Sequence, residues 1–94
     1  MATINLTSNT DQEVGGINTK KEYAVAVSGD FGGGTLAVQY RANSGWVTYS
    51  GGSTGSFTAS DERVFTQCGD EERINLNLSG ATSPDLDIVV TELR

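Results

Sequence analysis

The chain has 94 residues, 36% of them apolar and 19% charged, with twelve glycines, one proline and no histidine. That length supports one domain with one modest core, and the composition is too rich in patterned apolar residues for a disordered chain. Six basic residues against twelve acidic ones leave a net charge of −6, which argues against nucleic acid as a partner, since phosphate contacts need clustered Lys and Arg, and no run is long and apolar enough to cross a bilayer as a helix.

From the N-terminus, Ile4 and Leu6 alternate with Thr3, Asn5 and Thr7. A half-buried strand shows this period of two because its successive side chains leave opposite faces. Residues 9–21 are weakly patterned and read as an arm or a long loop. Tyr23, Val25 and Val27 then alternate with the small Ala24 and Ala26, and Leu36, Val38 and Tyr40 with Ala37, Gln39 and Arg41; each set predicts a strand. Asn43-Ser44-Gly45 predicts a hairpin that brings Trp46, Val47 and Tyr49 back against the Leu36–Tyr40 strand. Ser50 to Ser56 has linker composition at the length of an inter-strand loop.

Ser60 to Gly69 carries two signals. Ser60 could cap a helix that Asp61 and Glu62 open and Gly69 ends. Val64, Thr66 and Cys68, however, alternate with Phe65 and Gln67, and with strands on both sides the strand reading is preferred. Ile74-Asn75-Leu76-Asn77-Leu78 is the clearest strand, since a helix would scatter its three apolar side chains around the cylinder. In the last segment Leu86, Ile88 and Val90 share one face while Val89 and Leu93 take the other, as in a strand that is covered on both sides or lies at a subunit contact. Gly29-Asp30, Gly32-Gly33-Gly34, Gly51-Gly52, Gly69-Asp70 and Ser79-Gly80 supply turns between the alternating runs. The expected fold is all-β: a two-sheet antiparallel β-sandwich over residues 1–94, Ig-like or jelly-roll, with about seven or eight short strands.

The motifs for chemistry are weak. Gly51-Gly52-Ser53-Thr54-Gly55 has the spacing of a nucleophile elbow, but the chain has no histidine to activate the serine and no helical pattern follows. Gly32-Gly33-Gly34-Thr35 lacks the lysine of a phosphate-binding loop and reads as a turn. Asp61-Glu62, Asp70-Glu71-Glu72 and the pair Asp85 and Asp87 could in principle bind calcium, yet EF-hand spacing is absent and solvated turns are the plainer reading. Cys68 is the only cysteine, so one chain can form neither a disulfide nor a cysteine-based metal centre. The sequons at Asn5 and Asn77 are read as chance, because no secretory leader pattern precedes them. No enzyme, cofactor or metal is therefore expected, and synthesis in a cytoplasm is. Of the seven aromatics, Trp46 and Tyr49 stand beside a loop and are the candidates for partner binding, together with Val89 and Leu93 on the second face of the last strand.

Four stretches carry a family resemblance: Asp30-Phe31-Gly32-Gly33-Gly34-Thr35-Leu36 running on to Gln39-Tyr40, Asn43-Ser44-Gly45-Trp46, Arg73-Ile74-Asn75-Leu76, and Ser79-Gly80-Ala81-Thr82-Ser83-Pro84. In these, residues Gly29 to Arg94 resemble the small β-sandwich virion proteins of tailed bacteriophages, of head decoration, cement or fibre-associated type. The resemblance implies a structural protein without an active site, made in the host cytoplasm and carried on the virion surface. It also implies a homo-oligomer, with a trimer favoured, bound to the major capsid protein or another virion protein. A carbohydrate- or receptor-binding module of a tail or head fibre, using Trp46, is the alternative.

Overall fold

The computed structural model describes residues 2–18, 21–50 and 54–93. Nine strands are present among them: β1 (Ala2–Leu6), β2 (Thr10–Gly15), β3 (Glu22–Asp30), β4 (Thr35–Ala42), β5 (Gly45–Thr48), β6 (Ser56–Phe57), β7 (Asp61–Thr66), β8 (Arg73–Ser79) and β9 (Asp85–Glu92). They form two sheets, one ordered β1-β9-β3-β7 and the other β2-β8-β4-β5, with β6 also paired to β4. Every pairing is antiparallel. Consecutive strands therefore alternate between the sheets except around β4 to β6, which is the connectivity of a jelly roll and settles the choice left open by the sequence.

The core lies between the sheets. The four-stranded sheet contributes Leu6, Tyr23, Val25, Val27, Phe65, Leu86, Ile88 and Val90, and the five-stranded sheet contributes Val14, Leu36, Val38, Phe57, Ile74, Leu76 and Leu78. These are the inward positions of the alternating runs, and each fully buried aliphatic or aromatic side chain contributes about 1.5–3 kcal/mol of transfer free energy.

Residues 9–21, read from sequence as an arm or loop, include the edge strand β2, paired to β8 from Thr10↔Leu78 to Gly15↔Arg73. Its pattern is weak for a physical reason: only Val14 of its six residues is buried. The Asn43-Ser44 hairpin forms as expected, but with β4 pairing through residues 39–42, so that Arg41 faces Trp46 and Tyr40 faces Val47. Within Ser60 to Gly69 the strand β7 forms over Asp61–Thr66, with Phe65 inward and Gln67 buried just past its end. The first three residues of the Gly51–Gly55 motif lie outside the described residues, as do Lys20 and Arg94.

Gly29 and Gly55 are among the glycines needed where backbones meet. Gly29 sits at φ 114°, and a Cβ there would come 2.2 Å from the Asp85 carbonyl oxygen on β9, so only glycine lets β3 stay against β9 at this point. A Cβ on Gly55 would lie 2.5 Å from the Val38 carbonyl oxygen. The Gly55 carbonyl accepts from Val38 N at 2.8 Å, and Gly55 N donates to Tyr49 O at 2.9 Å. These bonds hold Gly55 against the β4 edge just ahead of β6.

Candidate functional site

The outer face of the four-stranded sheet is built by strand register. Val89 lies beside Ala26, Thr91 beside Ala24, Val64 opposite Ala24 and Glu62 opposite Ala26. Leu93 continues the row past β9, its backbone N donating to Glu22 O at 2.9 Å. Val64 and Leu93 are 44% and 48% exposed. The alanines project little, so the centre of this face is flat and apolar, spanning β9, β3 and β7.

Carboxylates rim this surface. Glu22 and Asp30 project outward from β3, Glu62 from β7, and Asp85 and Asp87 from β9. Asn5 Nδ2 on β1 reaches Asp85 Oδ1 at 2.9 Å, Asp87 Oδ1 at 3.0 Å and Leu86 O at 3.1 Å, which holds the two aspartates side by side. Asp30 Oδ1 accepts from Gly32 N at 2.8 Å. Among the described residues, no group of three or more His, Cys, Asp or Glu side chains is placed to hold a metal ion.

On the opposite side of the sandwich, the outer face of the five-stranded sheet is polar. A ladder of amides crosses it: Gln39 Nε2 donates to Thr48 Oγ1 at 3.1 Å, Asn75 Nδ2 to Gln39 Oε1 at 2.8 Å and to Asp11 Oδ1 at 3.0 Å, and Asn77 Nδ2 to Asp11 Oδ1 at 2.8 Å. The hydrogen bonds from Asn75 and Asn77 hold the Asp11 carboxyl below its usual range. Next to this ladder, Arg73 bridges Glu13 and Glu71 at 2.7 Å each. The Arg41 and Arg73 guanidinium carbons stand 5.1 and 5.7 Å from the Trp46 ring centre, within range for cation–π attraction. The Arg41 Nε is 3.4 Å from Glu71 Oε2 but is not aligned to hydrogen-bond it, and the buried Asn75 Oδ1 has no hydrogen-bond partner among the described residues.

Tyr49 lies on neither face. It is half-buried where the two sheets meet, in contact with the rings of Tyr23, Tyr40 and Phe65. Its hydroxyl accepts from Tyr23 Oη at 3.0 Å and donates to Thr66 O at 2.9 Å, so it ties the chain after β5 to β7 across the sandwich. Burial pushes the Tyr49 phenol up to about 12 and that of Tyr23 higher still. Cys68 nearby is exposed and free.

The four residues picked out from sequence thus fall in three places. Val89 and Leu93 share the acid-rimmed apolar face, Trp46 sits on the polar face, and Tyr49 is a structural bridge. Val64, Ala24 and Ala26 complete the apolar face but were not singled out. Their common signal is the outward parity of β3 and β7, which becomes informative only once β3 is known to lie between β9 and β7. Comparisons with protein-family models, curated proteins and solved structures find no match to this chain.

Proposed function

We propose that the chain is a non-enzymatic structural protein of a tailed-phage virion, a decoration or cement protein that binds the head shell from outside and reinforces it by bridging shell subunits. The observation that carries this reading is the flat apolar face of Val64, Val89, Leu93, Ala24 and Ala26, a surface suited to contact rather than chemistry. The jelly-roll connectivity is in keeping with it, since capsid and lectin domains share that architecture. Self-association, with a trimer as the favoured state, belongs to the same proposal, because small sandwiches gain stability by burying surface between copies. Many modest contacts repeated on a lattice then add by avidity. The test is to mix the purified protein with head shells that lack it. Saturable, stoichiometric binding is expected, and absence of binding overturns the proposal.

A second reading is favoured by one observation, the half-exposed Trp46 beside the Gln39–Thr48 amide ladder. An indole next to fixed hydrogen-bonding groups is a platform on which a sugar ring can stack, as a fibre-type carbohydrate- or receptor-binding module would need. Glycan-array binding that Trp46→Ala abolishes would support it, and an array with no signal would remove it.

A further inference from the structure

We infer that the outer face of the four-stranded sheet docks onto a partner protein whose own surface carries a small apolar centre ringed by Lys and Arg, and not onto a second copy of this chain. The inference rests on the virion reading above, in which the partner is the shell protein, and names the chemistry of the surface this face fits.

Charge is the first reason. The outward positions of β1, β9, β3 and β7 carry the carboxylates of Asp30, Glu62, Asp85 and Asp87 and no Lys or Arg. Arg63, the one basic residue of these strands, turns to the other side, its guanidinium carbon 4.2 Å from the Phe57 ring centre and its Nη1 within reach of Thr54 O and Ser56 O. Two copies packed through this face would set carboxylates against carboxylates in a chain already at −6, whereas a basic rim would complement them.

Shape and area give the second. Ala24 and Ala26 flatten the middle of the face and leave room for a knob from the partner, between Val64 on one side and Val89 on the other. Four strands of 5, 8, 9 and 6 residues, about 4.8 Å apart and rising about 3.3 Å per residue, make a face of about 450 Å². Doubled for the partner, that is about 900 Å², the weak end of specific protein interfaces. One such contact is short-lived by itself, and a symmetric shell offering many of them compensates.

The experiment measures co-sedimentation of the full chain with head shells lacking it, at about 50 and 300 mM NaCl, for wild type, Ala26→Arg, Glu62→Lys and the charge control Thr10→Lys on β2. Melting curves check that each variant folds, and sedimentation equilibrium reads self-association. Wild type should bind and lose on the order of tenfold in affinity at the higher salt. Ala26→Arg and Glu62→Lys should each lose about tenfold or more at low salt, with Thr10→Lys unchanged. If Ala26→Arg does not fold, the exposed-edge variant Glu62→Lys decides the matter. Wild-type binding that is insensitive both to salt and to the two face substitutions overturns the docking inference and leaves the virion reading standing. Loss of self-association in Ala26→Arg with shell binding intact shows that the face receives another copy and also overturns it. Failure of wild type to bind overturns the virion reading itself.

Discussion

Gln67 is a side chain with no exposure to solvent, and its amide is satisfied by backbone alone. Nε2 reaches Ile17 O at 3.3 Å, Arg73 O at 3.2 Å and Glu71 O at 3.4 Å, while Oε1 accepts from Gly69 N at 3.0 Å. One residue thereby fastens the segment after β2 to the turn before β8. Gln67→Leu keeps the volume but orphans these groups, so it should lower the unfolding free energy by about 2–3 kcal/mol in urea titration. Tyr23 and Tyr49 make a second residue-scale prediction. Their folded phenols titrate above the unfolded value of about 10, so the stability they confer is whole below pH 10 and is lost as pH rises through the folded values. Thermal melts should fall progressively from about pH 10 to pH 12, and Tyr49→Phe should flatten that decline.

Among the elements, the β4–β5 hairpin turns on Asn43 and Ser44 at φ 52° and 63°, the left-handed pair of a two-residue turn. Asparagine accepts that conformation readily and serine less so. Ser44→Gly should therefore raise the melting temperature by a few degrees, corresponding to up to about 1 kcal/mol. This hairpin was legible in advance because its turn residues and flanking apolar runs agree, as was β8, where Ile74, Leu76 and Leu78 alternate with asparagines. β2 was not legible, since an edge strand with one buried residue leaves almost no apolar period to read. The ambiguity at Ser60 to Gly69 had a different origin: Val64 is apolar but exposed, which spoiled the contrast between inward and outward positions. Val89 and Leu93 could be picked out by their parity alone. Their neighbours Ala24, Ala26 and Val64 come from strands distant in sequence, and only the β9-β3-β7 order joins them.

At the level of the whole molecule, the two outer surfaces differ in kind. The five-stranded sheet satisfies its polar groups largely among themselves, through the Asp11–Asn75–Gln39–Thr48 ladder and the Glu13–Arg73–Glu71 bridge. The four-stranded sheet instead presents apolar area at Val64, Val89 and Leu93 together with the carboxylates of Asp30, Glu62, Asp85 and Asp87. A protein that grips a larger surface needs one face of each sort, one to stay wet and one to dock. The most direct measurement is an electron-microscopy reconstruction of the source particle at a resolution that separates strands. The account predicts a jelly-roll sandwich on the outside of the head, with Val64, Val89 and Ala26 turned toward the shell and the Trp46 face toward solvent. Density for the protein with the Trp46 face against the shell, or a particle that carries none of it, would contradict the account.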